Sequence, residues 1–311
     1  KFSSESFSLF GNLDYFINKS LKFSIGARWE NYESQYVDSL GELFNPSDKM
    51  SGGKISINKN LSDSSNIFMS IARGFNQGGF NLNLGLAPES NNNNLYYDPE
   101  FLTNYEIGFN SQLFNKMMNV SAVIFYSDRD DQQVLISTQV DPMDPNTFSF
   151  LTQNAAEGIN KGVELNLDME LSESIYFFSR FGLLQTDINN WKSRPDLEGR
   201  AQAHAPKKSF ALGINWSITD RASLSIDLVG KSSFYYSDSH DNQSSSYSLT
   251  NINYDYSIGR WTYSIWARNV FDEYYSVRGF YFGNEAPDFQ DTLYERHGDP
   301  KHLGFTARYD F

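Results

Sequence analysis

The sequence contains no cysteine and no run of apolar residues long enough to form a membrane-spanning helix. The first absence excludes a disulfide framework and a thiolate metal site. The second excludes a transmembrane helix, which needs about 20 consecutive apolar residues. Basic residues are also scarce, since 25 Lys and Arg stand against 38 Asp and Glu and give a net charge of -13. A nucleic-acid binder needs a basic surface, so no nucleic-acid partner is predicted.

The sequence also begins at Lys1 without an initiator methionine and without an apolar, cleavable leader. An exported protein is synthesised with such a leader. We therefore expect Lys1 to lie inside a longer protein.

Aromatic residues are abundant instead, at 16% of the chain, and apolar and polar residues alternate with period two in most segments. Side chains on a strand point to opposite faces in turn, so alternation gives each strand one apolar face and one polar face. In the last segment Leu303, Phe305 and Ala307 are apolar and the residues between them are not. Charges such as Arg28 and Asp168 occupy only the polar face. That face meets solvent in a soluble sandwich and a water-filled lumen in a membrane barrel.

The connections between the alternating segments distinguish these two architectures, because short and long connections follow each other strictly. The predicted short turns are Asn18–Ser20, Leu61–Ser65, Asn115–Lys116, Leu171–Ser174, Ser217–Arg221 and Ser257–Arg260. The predicted long loops are Asp38–Lys49, Gln77–Glu100, Ser137–Thr147, Asn189–Pro206, Ser237–Ser245 and Ser276–Pro300. An up-and-down membrane barrel has tight turns at one end and long loops at the other, whereas a Greek-key sandwich mixes them.

Thirteen strands are predicted, and most are longer than the five or six residues usual in globular proteins. They are Phe7–Ile17, Leu21–Val37, Met50–Asn60, Asn66–Asn76, Phe101–Phe114, Met118–Ile136, Phe148–Leu171, Ile175–Ile188, Lys208–Ile218, Ala222–Tyr236, Tyr247–Ser257, Trp261–Val277 and Lys301–Phe311. Bacterial single-chain barrels have an even number of strands. An open strand edge in lipid is also costly. We therefore expect an odd number of further strands outside this chain to complete the barrel.

Five degenerate motifs resemble the C-terminal part of the barrel of TonB-dependent outer-membrane receptors. They are Ala72–Asn81 ("RGF…GGF"), Asp98–Gly108 ("PE…YE-G"), Asn154 with Gly162–Glu164 ("N…GVE"), Trp266–Tyr275 ("N-L-F-D-x-x-Y") and Gly298–Phe311 ("G-x-P-R…Y-x-F"). The fourth is the most specific. In the fifth, Lys301 stands where the family usually has arginine.

The resemblance implies an all-β, antiparallel, up-and-down transmembrane β-barrel of about twenty-two strands, of which residues 1–311 form about thirteen. The N-terminal plug and the first strands are then absent from the chain. The implied location is the outer membrane of a Gram-negative bacterium. The implied function is uptake of a scarce solute with energy transmitted by TonB, with a ferric siderophore as the first expectation and cobalamin, haem or a saccharide as alternatives.

The resemblance also implies partners. The TonB complex would act through the missing plug, and a small-molecule ligand would bind the loops and lumen. Lipopolysaccharide and outer-membrane lipid would surround the barrel. Tyr309 and Phe311 match the terminal aromatic signal that the barrel-assembly machinery recognises.

Two other functions stay open from the residues. A passive porin or channel of about fourteen strands would have the same alternation, and a soluble β-rich adhesin is a more remote alternative. An enzyme is not expected and no catalytic residue is assigned. Asp238, Ser239 and His240 are adjacent in sequence, which is not the geometry of a catalytic triad, and no G-x-S-x-G motif is present.

The predicted ligand-binding residues are Asn76, Gln77, Asn81 and Arg129, near the outer ends of the strands. In the same region Gly78 and Gly79 are expected to release a strand into a loop rather than to contact a ligand. Arg73 shares parity with Ile71, so it is expected to face outward and to meet lipopolysaccharide phosphates unless a bulge turns it inward.

No metal site and no cofactor are predicted. The four histidines, His204, His240, His297 and His302, are far apart in sequence and form no H-x-x-x-H pair. They are interpreted as solvated residues, the first three in loops. The acidic run Asp128–Asp131 lacks the glycine and terminal glutamate of a calcium loop, so it is interpreted as a solvated rim.

Overall fold

The structure is a computed structural model, and it describes residues 1–38, 41–81, 95–139, 148–191, 195–238, 240–283, 285–290 and 292–311. Ser239 lies outside these residues. No helix in the described ranges is long and apolar enough to cross a membrane. The described residues are built almost wholly of antiparallel strands, and a short 3-10 helix lies at Pro195–Leu197.

Eighteen strands are described. They are β1 (Phe2–Asn18), β2 (Leu21–Val37), β3 (Leu43–Phe44), β4 (Ser47–Ser62), β5 (Ser65–Asn76), β6 (Gly79–Phe80), β7 (Tyr96–Tyr97), β8 (Glu100–Leu113), β9 (Met118–Gln139), β10 (Phe148–Ser172), β11 (Ile175–Trp191), β12 (Lys208–Thr219), β13 (Ala222–Lys231), β14 (Tyr247–Ile258), β15 (Trp261–Arg268), β16 (Ser276–Phe282), β17 (Thr292–His297) and β18 (His302–Tyr309).

Thirteen of these strands form one continuous sheet in sequence order, which we call the wall: β1, β2, β4, β5, β8 to β15, and β18. Each of the thirteen predicted strands corresponds to one strand of the wall. The predicted alternation of short and long connections is also confirmed, because the six short turns join hairpin neighbours at one end of the sheet.

Some predicted boundaries are wrong. The first strand begins at Phe2 rather than Phe7, and β13 ends at Lys231 rather than Tyr236. After Lys231 the chain bonds to loops: the amide of Phe234 donates to the Ser244 hydroxyl, and the Tyr235 carbonyl accepts from the His204 amide. These loop contacts replace the sheet ladder beyond Lys231.

The strand predicted as Trp261–Val277 ends at Arg268, because Asn269 closes it. Asn269 has a positive φ of 46° and its side chain is bonded on both sides of the turn. Its Nδ2 donates to the carbonyls of Glu273 (2.9 Å) and Asp299 (3.1 Å), and its Oδ1 accepts from the Glu273 amide (2.8 Å). The chain then starts a separate hairpin, β16–β17, within a connection predicted to be only a loop.

The register of the wall places residues of like polarity side by side. Leu13, Ile25, Ile55, Ile71, Tyr105 and Tyr126 form one row across six strands. All six side chains are exposed. On the opposite face Ser24, Ser56, Ser70 and Glu106 form a polar row, and the Ser70 hydroxyl donates to Glu106. A sheet with an exposed apolar outer face and a hydrogen-bonded polar inner face is the arrangement of a membrane barrel.

The wall does not close on itself. β1 and β18 are the two ends of the strand order, and each has a single partner strand in the part of the chain that the structure describes. Thirteen strands therefore form an open segment of a barrel.

Candidate functional site: the loop end of the wall

An ion pair lies at the loop end of β8 and β9. Nε and Nη2 of Arg129 donate to Oε1 of Glu100 at 2.9 and 2.5 Å, and the Gln133 amide donates to Oε2 at 3.0 Å. Both side chains are largely buried, at 23% exposed for Arg129 and 12% for Glu100. Removing one partner of such a pair would leave an uncompensated charge away from water, which costs more than breaking a surface pair. The predicted residue Arg129 is therefore held in place by Glu100.

Gln133 links the two ends of the connection between β5 and β8. Its Oε1 accepts from Nδ2 of Asn76 at 2.9 Å. Its Nε2 donates to the carbonyl of Gln77 at 2.9 Å and to the carbonyl of Asp98 at 3.0 Å. Gln133 thus joins the chain leaving β5 to the chain entering β8.

Asn154 adds a second link on the neighbouring strand β10. Its Nδ2 donates to the carbonyls of Asp98 (2.7 Å) and Asp131 (2.9 Å), while its Oδ1 accepts from the Asp98 amide (2.7 Å). We call Asn76, Glu100, Arg129, Gln133 and Asn154 the loop clamp, because their bonds hold Gln77 and Asp98, near the two described ends of this connection, against the ends of three strands.

Asn81 attaches the same connection to β10 at another point. Its Nδ2 donates to the Thr152 carbonyl and its Oδ1 accepts from the Thr152 amide, both at 2.8 Å. This is the pairing that a strand neighbour would make, supplied by a side chain. Asn81 is buried, at 7% exposed, and its own amide donates to the Leu95 carbonyl at 2.7 Å.

The four predicted ligand-binding residues are thus brought to one region. Asn76, Asn81 and Arg129 act through side chains and Gln77 through its carbonyl, and each is bonded to protein groups. Ligand contact by these residues stays a prediction. Sequence reasoning missed Gln133, which no motif contains, although Glu100 and Asn154 both belong to quoted motifs.

Gly78 permits a close approach within this connection. A Cβ there would meet the Tyr96 hydroxyl, the Tyr97 carbonyl oxygen and Oδ2 of Asp48 at overlapping distances. Gly79 similarly faces the Tyr97 ring, and it starts the small β6–β7 hairpin. The glycine pair therefore accommodates tyrosines, in addition to ending the strand as predicted.

The Tyr96 hydroxyl donates to Asp48, the second residue of β4, at the loop end of that strand. Burial raises the pKa of Asp48 above its usual range, against the lowering effect of the Tyr96 hydrogen bond. Burial and the Asp48 carboxylate both hold the pKa of Tyr96 far above its ordinary value. The hydrogen bond between Tyr96 and Asp48 fixes the β6–β7 hairpin to β4.

A second cluster lies over β11 to β13. Arg200 pairs with Asp241 at 2.5 Å, donates to the His240 carbonyl and lies 4.1 Å from the centre of the Tyr235 ring. The His240 ring stacks on Tyr281 with centroids 3.7 Å apart. The interpretation of His240 as a solvated histidine is therefore wrong, because ring stacking fixes it.

The other histidines are separate from this stack. His297 lies in β17 rather than in a loop, and its Nε2 and Nδ1 contact the hydroxyls of Tyr274 (2.6 Å) and Ser276 (3.1 Å). His204 and His302 are exposed. Among the residues that the structure describes, no three His, Asp or Glu side chains converge as a metal site.

Tyr236 lies beside the same cluster, and its hydroxyl donates to Glu295. Burial and this hydrogen bond raise the pKa of Tyr236 to about 12. The contact joins the chain after β13 to the β16–β17 hairpin.

The inner face has a polar cavity of about 770 Å³ at the short-turn end. Serine and asparagine side chains from β4, β5, β8 and β9 line it, with Asp168 of β10 at its margin. Asp168 is paired with Nη2 of Arg180 at 2.5 Å. The cavity lining is suited to hydrogen bonding with a polar surface or solute.

Three further predicted residues have defined positions. Arg73 is exposed on the outer face as predicted, in unbroken register with Gly53 and Thr103, and lies 4.5 Å from the Phe101 ring centre. Tyr309 packs on Trp261 with centroids 5.0 Å apart, and the fully exposed Phe311 packs edge-on against Tyr309 at 5.2 Å.

Comparisons with known proteins agree with this architecture. Residues 1–270 match the family described as "TonB dependent receptor-like, beta-barrel". The ferric yersiniabactin uptake receptor FyuA from Yersinia pestis is similar at 17% identity, with a TM-score of 0.82 over 100% of this chain and 46% of that one. The siderophore receptor PiuA from Acinetobacter baumannii (16%, TM-score 0.75, 98% and 43%) and the copper transporter OprC (14%, 0.78, 99% and 50%) are also similar.

The chain thus spans about half the length of these solved structures. At such identities the likeness shows the fold, whereas the family match covers most of the chain. The chain belongs to the TonB-dependent receptor-like β-barrel family, a family of transport receptors in the outer membrane of Gram-negative bacteria.

Proposed function

We propose that the whole protein takes up a scarce solute across the outer membrane with energy transmitted by TonB, and that the solute is a ferric siderophore. Family membership supports the transport role. The names of similar structures support the solute, since FyuA is called a ferric yersiniabactin uptake receptor and FecA a ferric citrate transporter. No enzymatic activity and no bound cofactor are part of this proposal.

In this proposal residues 1–311 supply the C-terminal portion of a barrel of about twenty-two strands. The earlier strands and the plug belong to chain outside this sequence, and the TonB complex acts through that plug. The polar cavity on the inner face would contact the plug or the passing solute. Tyr309 and Phe311 would be recognised by the barrel-assembly machinery, and the apolar outer face would contact lipid and lipopolysaccharide.

The observation that carries the proposal is the loop clamp. A receptor must present its long loops in a defined position to select a scarce ligand, whereas a passive pore needs only an open lumen. Through the loop clamp, Gln133 joins Asn76 to the carbonyl of Gln77, and Arg129 fixes Glu100 where the connection enters β8. Asn81 attaches the same connection to β10. We propose that these residues contribute to ligand binding by positioning that connection, with direct contact as an additional role.

The test is uptake of radioactive iron supplied as ferric siderophores to cells that express the whole protein, with and without functional TonB. Accumulation that depends on both TonB and the protein is the expected result. A passive porin or channel would transport equally in cells that lack TonB, and that outcome would contradict the proposal.

Copper is a second candidate solute, because OprC is called a copper transporter and shares the fold. Growth tests with cobalamin, haem, saccharides or copper as the limiting nutrient would separate the alternatives. Dependence on the protein for one of these and not for iron would refute the siderophore assignment while keeping the transport role. A soluble adhesin would remain outside the membrane fraction.

A further inference from the structure

A groove of about 470 Å³ lies on the wall where β9 to β12 run side by side, at the loop end of the apolar positions of these strands. Ile124, Val163 and Leu183 line it and form one row by register, which continues to Lys208. By alternation this row is on the outer face, and Ile124 is 61% exposed. The floor of the groove is therefore apolar and faces the membrane.

Two lysines border this groove on the same face. Lys161 lies two residues before Val163 on β10, and Lys208 lies two residues before Phe210 on β12. Both lysines are therefore on the loop side of those apolar residues. Each is the first outward polar residue above the apolar positions of its strand. Both are exposed, and neither ammonium group has a hydrogen bond or ion pair among the residues described. Lys207 also lines the groove.

The spacing of the lysines suits one anionic group. Lys161 pairs with Gln185 and Lys208 with Leu183, so the two lie two strands apart with an offset of two residues. Their Cα atoms are then about 12 Å apart. Lysine stems are long and flexible, so both ammonium groups can reach a phosphate placed between them.

The next row of outward-facing residues limits where such a phosphate can lie along the strands. Asp128, Ile159 and Asp187 lie side by side in the outward row that follows the row of Lys161 toward the loop end. Asp187 accepts a hydrogen bond from Gln185 at 3.0 Å. The two carboxylates would repel an anion above the lysine row, and the apolar floor excludes it below. In a chain of net charge -13, two unpaired lysines at the membrane boundary form a local basic site.

We propose that Lys161 and Lys208 bind the phosphate of an outer-leaflet lipid whose acyl chains lie on Ile124, Val163 and Leu183. Long loops of bacterial barrels face the cell exterior, so the site meets the outer leaflet. Ammonium-to-phosphate bonds are charge-assisted and stronger than neutral ones. This site is separate from solute uptake and does not depend on which solute is carried.

The test uses the whole receptor in nanodiscs, with diphosphorylated lipid A as the probe and native mass spectrometry as the measurement. The double variant Lys161→Gln/Lys208→Gln is expected to lose about tenfold or more in affinity. The matched control Lys19→Gln/Lys116→Gln removes two exposed lysines at the opposite, short-turn end and is expected to bind as wild type does. Heat-dependent gel migration checks that each variant is folded.

Two further arms identify the source of the phosphate. Dephosphorylated lipid A is expected to bind wild type and the Lys161/Lys208 variant equally. Inorganic phosphate at millimolar concentration is expected not to compete with the lipid. Equal affinity of wild type and the variant for lipid A would overturn the proposal, and so would full competition by inorganic phosphate.

Discussion

Replacement of Gln133 by alanine tests whether the loop clamp holds the connection between β5 and β8. The change removes three hydrogen bonds, to Asn76, to the Gln77 carbonyl and to the Asp98 carbonyl. A typical intramolecular hydrogen bond contributes about 0.5–1.5 kcal/mol, and water would replace part of these because Gln133 is only half-buried. We expect a local loss of about 2 kcal/mol, with global unfolding unchanged because the wall ladder is intact.

Hydrogen exchange at two amides measures this loss directly. The Asn81 amide donates to the Leu95 carbonyl and the Asp98 amide donates to Asn154. Both should exchange about thirtyfold faster in the variant, since about 1.4 kcal/mol corresponds to a factor of ten. Gln112→Ala is the matched control, because Gln112 is exposed at the opposite end of the wall. Unchanged exchange in Gln133→Ala, or equal acceleration in Gln112→Ala, would show that Gln133 does not hold this connection in place.

Three further perturbations test contacts elsewhere in the structure. Gly78→Ala should cost about 1–3 kcal/mol of local stability, because the added Cβ would overlap the Tyr97 carbonyl oxygen. Gly74→Ala is the control, since the space around Gly74 is open, and it should change stability by less than about 0.5 kcal/mol. Equal sensitivity of the two variants to proteolysis would contradict this prediction. The contact between Tyr236 and Glu295 should stabilise the protein fully below pH 10, and this stabilisation should be lost as pH rises through about 12. An ultraviolet titration of the protein and of the Tyr236→Phe variant should differ by one tyrosine that titrates near 12. A difference near pH 10 would show that burial does not raise the pKa of Tyr236. Asn269→Ala should destabilise the barrel by about 2–3 kcal/mol, measured by denaturant unfolding in detergent, because a buried side chain loses three bonds; a loss below about 0.5 kcal/mol would show that it does not close β15.

The strands of the wall could be predicted from sequence because each carries its own signal. Alternation repeats over many residues in a segment such as Val163–Leu171, and a slip of one residue would place the whole apolar set on the wrong face. The connections add independent information, since only one end of a membrane barrel has tight turns. Local patterns of this kind do not require knowledge of distant partners.

The strand ends and the clamp depend on distant partners, and sequence reasoning lost accuracy there. β13 ends where Phe234 and Tyr235 bond to loops. Gln133 joins Asn76, Gln77 and Asp98, which are 35 to 57 residues away along the chain. Similarly, His240 could not be distinguished from a solvated histidine, because Tyr281 lies 41 positions further on. Arg73 was placed correctly on the outer face because parity alone decides its face.

One face of the wall meets lipid and the other meets the lumen, and alternate labelling of β10 tests this arrangement directly. The chain has no native cysteine, so single cysteines can be placed at each position from Val163 to Leu167 of the whole receptor in membranes. Spin labels at 163, 165 and 167 should be relaxed by oxygen dissolved in lipid, and those at 164 and 166 should not. Uniform relaxation at all five positions, or alternation of the opposite phase, would show that the two faces of β10 are not divided between lipid and lumen in this way.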